Sequence, residues 1–325
     1  MVHEAPLATS YSMKIFITGA TGLLGGSLLS HFSSRRHEIW GLSQKPKSSS
    51  EKTTTWVKGT LESVNHWKNY LKSIDVAIHA AALTEQGASI NEYWKINVEG
   101  TRNFLLACRE MKVPKIILIS TANVFGYGSI EQPGTESNPA KYPFTDSGYA
   151  QSKISAHELI LEFSDLFIVS IHPTFMIGEQ TEKITSSNQI FKSLLGKRIA
   201  FFPSGGKNFI GTTDVVHGIE KAIEHGKKGE SYLLSDQNLS YLEFFTMASE
   251  INRQNTRLIP IPILVIRTLQ WLSKSFFKHS KINPINLEII QVKNFYSSSK
   301  AQKELHWKPQ YFFQDLQKAI QSFKG

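Results

Sequence analysis

The stretch Lys14-Ile-Phe-Ile-Thr-Gly-Ala-Thr-Gly-Leu-Leu-Gly-Gly26 decides the fold. A short β-rich apolar run, Ile15 to Ile17, leads into Gly19, Gly22 and Gly25. An apolar helical pattern follows through Leu23, Leu24, Leu28, Leu29 and Phe32. A strand that breaks into a helix through spaced glycines builds an anion site. The glycines let a phosphate approach the backbone, and the first helical turn offers unpaired N–H groups at the positive end of its dipole. The same spacing also occurs in plain tight turns, so the dinucleotide reading depends on what lies downstream.

The next apolar segment, His37 to Leu42, reads as a second strand. In dinucleotide-binding folds an acidic residue about 20 positions past the glycines grips the adenosine ribose 2′-hydroxyl. Here that place holds Ser43, followed by Gln44, Lys45, Pro46 and Lys47. A carboxylate would repel a 2′-phosphate, whereas hydroxyl and ammonium groups favour one, so NADP is expected, with NAD as the alternative.

Residues 48–55 read as a polar loop, and Gly59-Thr60-Leu61 leads into a helical stretch that runs to Lys72. Asp75 to His79 reads as a buried strand ending in Ala80-Ala81-Ala82, small enough for a cofactor to lie against the backbone. His79 is expected to be a packed histidine. Helical patterns from Ile90 to Glu110 carry Asn97, and Lys115 to Ser120 is another strand. This alternation predicts a parallel sheet with helices on both faces. Ligands of such sheets sit beyond the C-terminal strand ends, which puts Ser120 and Thr121 within reach of one. After a Pro-, Gly- and Ser-rich loop, Gly128 to Ser147, the run Tyr149-Ala-Gln-Ser-Lys153 opens a helix. Positions i and i+4 share a helix face. The phenol and the ammonium can therefore meet one ligand, with the cation favouring the phenolate.

The whole chain fits this picture. Its 325 residues can bury a large core, and 41% hydrophobic and 19% charged content is that of a globular protein. One cysteine, Cys108, forms no internal disulfide, and no Cys/His cluster has zinc spacing, so no metal is expected. Residues 1–12 read as an N-terminal extension without the basic start and apolar core of a secretory signal, and a cytoplasmic location is expected. No apolar run approaches the ~20 residues that span a bilayer. Residues 251–325 hold 12 Lys/Arg against 3 Asp/Glu, which accounts for the whole net charge of +9. Such a bias favours an anionic ligand or membrane surface. Nucleic acid is not expected, because the basic residues are spread among apolar ones and no recognition motif accompanies them.

Together the motifs resemble the extended short-chain dehydrogenase/reductase, or NAD-dependent epimerase/dehydratase, family. They run in order: Thr18-Gly-Ala-Thr-Gly-Leu-Leu-Gly25, Asp75-Val-Ala-Ile-His-Ala-Ala-Ala82, Asn97-Val-Glu-Gly-Thr101, Ser120-Thr121…Val124-Phe125-Gly126 and Tyr149-x-x-x-Lys153. Later come His172-Pro173…Gly178, Asp214-Val215-Val216 and Ser298-Ser-Lys-Ala301…Leu305-His306-Trp307-Lys308-Pro309. The resemblance covers about residues 13–320. It implies an α/β fold: a Rossmann-type doubly wound parallel sheet over residues 13–170, rejoined by later segments, and a smaller, mostly helical substrate region over 171–325. It implies that Thr121 bonds the substrate oxygen and Tyr149 passes the proton. Lys153 would hold the nicotinamide ribose and lower the tyrosine pKa. The expected cofactor contacts are Gly19, Thr21, Gly22, Leu23, Leu24, Gly25, Ser43, Lys45, Ala80, Ala81, Ala82, Asn97, Ser120, Tyr149, Lys153, His172 and Pro173. Expected substrate contacts are Thr84, Ala122, Asn123, Thr174 and Lys207. The partner is a small molecule, and a homodimer is the assembly that family members often adopt.

Departures from the family pattern narrow the chemistry. Dehydratase members carry Asp-Glu directly after the threonine; here those places are Ala122 and Asn123. Nucleotide-sugar epimerases carry a diphosphate-binding arginine shortly before the aspartate matched by Asp214; here that stretch holds Lys207 and Asn208. Thr60 replaces the usual aspartate after Gly59, and His172 the common arginine before the proline. The Gly-x-Asn-Phe stretch is most similar to the dihydroflavonol-reductase and hydroxysteroid-dehydrogenase branch. The expectation is an NAD(P)-dependent oxidoreductase acting on a carbonyl or alcohol of a small, apolar substrate. A nucleotide-sugar 4-epimerase or 4-reductase is the alternative, and a catalytically silent cofactor-binding protein the rival of another class. Ile261 to His279, rich in Leu, Ile, Trp and Phe with Arg267, Lys274, Lys278 and His279, reads as a core helix or substrate lid, or as a helix lying on an anionic membrane surface.

Overall fold

The computed structural model describes residues 12–46, 54–85, 87–179, 187–276 and 284–323. In chain order the strands are β1 (Lys14–Thr18), β2 (Glu38–Ser43), β3 (Thr54–Lys58), β4 (Val76–His79), β5 (Lys115–Ile119), β6 (Ile168–Pro173), β7 (Phe175–Ile177), β8 (Ile199–Phe202), β9 (Gly206–Gly211), β10 (Ser231–Leu234), β11 (Gln237–Ser240), β12 (Arg257–Pro260) and β13 (Lys293–Asn294).

A seven-stranded sheet in the order β10-β6-β5-β4-β1-β2-β3 forms the centre, and every pairing in it is parallel. The alternation of side chains along β1 explains why both faces are covered. Ile15 and Ile17 pack with Leu24, Leu28 and Phe32 of helix Leu23–Ser34 and with Val215, Ile219 and Ala222 of helix Thr212–His225. Phe16 points to the other face, among Phe104 and Leu105 of helix Gly100–Glu110 and Leu159 and Ile160 of helix Gly148–Glu162. The strand order reverses between β1 and β4, and a crevice opens at that switch point beyond the strand ends.

The sequence-derived boundary at residue 170 cuts through β6, which continues to Pro173, and β10 with helix Thr212–His225 returns to the main sheet. The remainder carries its own apolar core around Phe191, Phe209, Phe244, Phe312 and Leu316. Phe209 and Phe244 stack there at 4.1 Å. Besides helices it holds a sheet in which β9 pairs β7, β11 and β13, and a second of β8 and β12. Asp214 ties the two parts together, its carboxylate accepting from the Gln310 and Tyr311 amides at 2.7 and 2.9 Å.

Two segments differ from their sequence reading. The helical stretch expected between Leu61 and Lys72 is reduced to a turn, Val64–Trp67, with a 3-10 extension, Lys68–Leu71. The segment Ile90–Glu110 is helical throughout but widens to a π-helix over Trp94–Glu99, which contains Asn97. Ile184 to Leu195 also has the sequence pattern of a helix; residues 184–186 lie outside the described residues, and Asn188–Ser193 is 3-10.

Candidate active site

The glycine turn between β1 and helix Leu23–Ser34 is built for close approaches. Gly19 has φ +69°, and a Cβ there would sit 2.6 Å from the Ala81 amide nitrogen. A Cβ on Gly25 would lie 2.1 Å from the Gly19 carbonyl oxygen. Gly22 differs: a Cβ there would meet only the Gly19 oxygen at 3.3 Å and otherwise face open space. The helix that follows has no side-chain cap and no acidic residue in its first turn, so its leading amides point free at the crevice.

A chain of hydrogen bonds fixes the neighbouring strand ends. The Ala81 amide donates to Thr18 Oγ1 at 3.2 Å, and Thr18 meets His79 Nδ1 at 2.8 Å. His79 Nε2 meets Thr101 Oγ1 at 3.0 Å, and Thr101 donates to the Asn97 carbonyl at 2.7 Å. Burial pushes the His79 pKa down to about 3, so it is a neutral, packed histidine. Asn97 uses its side chain inside the protein: Oδ1 accepts from the Leu83 amide at 2.8 Å and Nδ2 donates to Ser152 Oγ at 2.9 Å. Ser152 in turn donates to the Tyr149 carbonyl at 2.7 Å. Asn97 therefore braces the 80–85 loop against the helix of Tyr149, rather than lining the cleft as a cofactor contact.

The cleft beyond the strand ends encloses about 650 Å³. It brings together Gly19, Gly22, Leu23, Leu24 and Gly25, then Ala80, Ala82 and Thr84, then Ser120, Thr121, Ala122 and Asn123, then Tyr149 and Lys153, and finally Thr174 and Lys207. Seven other expected contacts lie outside its lining. Thr21 is exposed on the turn, and Ala81 is held by Thr18. Ser43 is the last residue of β2 and Lys45 lies just past it, where Ser43 Oγ accepts from the Lys45 amide at 3.1 Å. Asn97 is bonded inside as described, and Pro173 is in the β6–β10 ladder.

His172 is fully buried and supports the site from behind. Its Nδ1 meets the Thr121 carbonyl at 3.2 Å and its Nε2 meets Ser170 Oγ at 2.7 Å. A carbonyl only accepts, so Nδ1 carries the hydrogen and Nε2 accepts from the Ser170 hydroxyl. Burial holds the His172 pKa well below its ordinary value, so the ring stays neutral. This histidine orients the Thr121 backbone and does not reach a ligand.

Tyr149 is the second residue of helix Gly148–Glu162, and Lys153 lies one turn on. Thr121 and Tyr149 line the cleft together, and the Thr121 hydroxyl acts to lower the phenol pKa. The Tyr93 ring meets the Tyr149 ring edge-on at 5.9 Å. Lys153 is buried, with Nζ donating to the Ile119 carbonyl at 3.0 Å, and burial pushes its pKa down to about 8. The expected lowering of the tyrosine pKa by this lysine is not what the protein chain alone produces. Burial outweighs the lowering by Thr121 and raises the Tyr149 pKa to about 12. At neutral pH the group is a protonated phenol, ready to donate.

Several lining residues carried no sequence signal. Ile90, Tyr93 and Phe144 form an apolar wall, and Asn294 and Tyr296 arrive from β13 and the residues after it. A long-range pairing of β13 with β9 brings them there, and no local pattern announces such a pairing.

A nicotinamide dinucleotide fits these residues. The buried Ser120 Oγ has no partner among the described residues, Gly22 leaves room for a phosphate, and the helix amides above it are uncapped. What the sheet and cleft define is a dinucleotide-dependent α/β enzyme. Residues 15–235 match the NAD dependent epimerase/dehydratase family, and the chain belongs to that family, which makes it an NAD(P)-dependent oxidoreductase of the extended short-chain type.

Among relatives, the chain is 28% identical over 276 residues to a 4-hydroxy-2-methyl-3-oxo-4-farnesyl-3,4-dihydroquinoline-1-oxide ketoreductase of Stigmatella aurantiaca, covering 82% of this chain and 81% of that protein. It is 24% identical over 323 residues to a 3-beta-hydroxysteroid dehydrogenase of Mycolicibacterium neoaurum, covering 91% and 87%. The crystal structure of gox2253 superposes with a TM-score of 0.82 at 27% identity, covering 96% of this chain and 98% of that one.

Proposed function

We propose that the protein is an NADP(H)-dependent reductase that interconverts a carbonyl and an alcohol on a largely apolar substrate, with Tyr149 as the acid/base. The observation that carries this reading is the convergence of Thr121, Tyr149 and Lys153 in one cleft whose two places after the threonine are Ala122 and Asn123. Elimination of water needs an acid and a base there, and an amide and a methyl group supply neither. The relatives named for a farnesylated quinoline ketone and for a steroid support an apolar substrate. So does the wall of Ile90, Tyr93, Phe144 and Ile289.

Bound in the cleft, the nicotinamide supplies the hydride for the substrate carbon. The glycine turn and the amides of Leu23 and Leu24 would hold the pyrophosphate, and Ser120 and Lys153 the nicotinamide half. Thr121 and Tyr149 donate to the carbonyl oxygen, and the phenol proton passes to it as the alkoxide forms. Ser43 and Lys45 at the end of β2 favour the 2′-phosphate of NADP over the bare ribose of NAD. Titration by cofactor fluorescence should give a lower Kd for NADPH than for NADH; tighter NADH binding would reject the preference.

Lys207 supports a further feature of the substrate. Its ammonium lies 5.1 Å over the Phe175 ring and lines the cleft, and among the described residues no carboxylate pairs with it. Burial pushes its pKa down to about 8. The charged form therefore dominates below that pH, and an anionic group on the substrate would be held there and released as pH rises past it. Lys207→Met should raise KM for a keto acid by about tenfold or more at pH 7 and leave KM for its neutral ester unchanged. An equal effect on both substrates would remove Lys207 from this role.

A panel of apolar ketones and nucleotide sugars tests the whole reading. Net NADPH oxidation with ketones supports it. Epimerisation of a nucleotide sugar without net cofactor change would support a 4-epimerase instead, and no reaction with any member would support a silent binding protein.

A further inference from the structure

The stretch Ile261–His279 reads from its sequence as a core helix or lid, or as a helix on an anionic membrane surface; residues 277–279 lie outside the described residues, and helix Ile263–Phe276 does not pack as a core helix. Leu264 is 70% exposed and Trp271 63%, and Ile263, Val265 and Leu269 are exposed with them. Of the residues from Ile263 to Leu272, Ile266 alone is buried. Among the described residues, none from Ile263 to Leu272 lines the cleft. The helix is fastened by its inner side: Ile266 is buried, and Gln270 Nε2, one turn on, donates to Glu288 Oε1 at 2.7 Å. Leu264 and Trp271 are seven positions apart and share the outer face. Beside this face, β8 exposes Ile199 and Phe201, and its partner β12 leads directly into the helix.

Charge identifies what covers this apolar face. Residues 251–287 contain six Lys/Arg and no Asp/Glu, with Arg267 exposed on the helix itself. A second copy of the chain would bring the same positive charge against it. An anionic lipid surface takes both features at once, apolar side chains below the headgroups and cations among them.

We propose that helix Ile263–Phe276 docks the protein on an anionic membrane surface. The helix packs on Pro284–Ile289, which contributes Asn286 and Ile289 to the cleft wall. Docking there sets the wall of the cleft beside the lipid, where an apolar substrate partitions. The docking itself does not depend on the substrate or on turnover.

Co-sedimentation of the full chain with vesicles tests this. The protein should pellet with phosphatidylcholine vesicles containing phosphatidylglycerol, and bind at least about tenfold more weakly to pure phosphatidylcholine or in high salt. The double variant Ile263→Ser, Leu264→Ser should lose binding by a similar factor while keeping the wild-type melting temperature and NADPH affinity, because both side chains are exposed. Wild-type protein that stays in the supernatant with the anionic vesicles would overturn the proposal. So would a double variant that binds as well as wild type, or a wild-type dimer that the double variant dissolves while vesicles capture neither.

Discussion

Tyr149→Phe should bind NADPH like the wild type and lose turnover by about 10²–10⁴-fold, the range removed with a positioned proton donor. The substitution deletes one oxygen. The edge-on contact with Tyr93 needs only the ring, the Thr121 hydroxyl keeps its bond from the Asn123 amide, and Lys153 keeps its bond to the Ile119 carbonyl. No other interaction depends on the phenol, so the fold and the cofactor cradle persist. The pH behaviour follows from the same burial. With the Tyr149 pKa raised to about 12, the proton donor for reduction is present across the neutral range. Lys153, lowered to about 8, loses its positive charge above that pH, so reduction should decline there. Lys153→Arg, whose charge does not titrate, should flatten the decline. A stopped assay of NADPH oxidation from pH 6 to 10, with separate cofactor titrations, measures both effects. Wild-type turnover in the phenylalanine variant would remove Tyr149 from the chemistry.

Two alanine substitutions three residues apart should behave in opposite ways. At Gly25 the added methyl would lie 2.1 Å from the Gly19 oxygen and 2.8 Å from the Ala20 Cα, both backbone atoms. The turn must open to admit it. Destabilisation of about 3 kcal/mol or more is expected, with a fall in melting temperature and loss of NADPH binding together. At Gly22 the methyl would meet a single atom at 3.3 Å, so the fold should keep its melting temperature. Its open side is where a pyrophosphate would lie against the backbone, and NADPH affinity should fall by about tenfold or more. Calorimetry of both variants with and without NADPH distinguishes the two. Equal melting temperatures for Gly25→Ala and wild type would contradict the packing argument, and unchanged NADPH affinity in Gly22→Ala would contradict the phosphate site.

The sequence showed most clearly what local pattern encodes. Ile15 to Ile17 with the spaced glycines announced β1 and the turn, and the four-residue interval between Tyr149 and Lys153 put both on one face of a helix that begins at Gly148. Side chains that serve the site from behind were harder to place. Asn97 and His172 sit in motifs shared with cofactor-binding proteins, yet they bond Ser152 and the Thr121 carbonyl within the protein. A motif records that a residue type is needed, and both a ligand contact and a brace meet that description. The tyrosine pKa was misjudged for a related reason. Spacing brought a cation near the phenol, but the desolvation of both groups depends on the packing of Ile119, Tyr93 and the surrounding helices. The Ile261–His279 stretch shows the converse. Its composition suits a core, yet Ile263, Leu264 and Val265 are exposed, and exposure depends on which elements pack on a helix, which composition does not record.

The central claim is that this cleft transfers hydride to a substrate carbonyl with Tyr149 supplying the proton. NADPH deuterated on the transferable position of the nicotinamide, incubated with the protein and each ketone of the panel, tests it most directly by mass spectrometry of the alcohol. The account predicts one deuterium on the carbinol carbon with wild-type protein and none with Tyr149→Phe. NADPH consumption without deuterium in the product, or equal labelling by the phenylalanine variant, would contradict it.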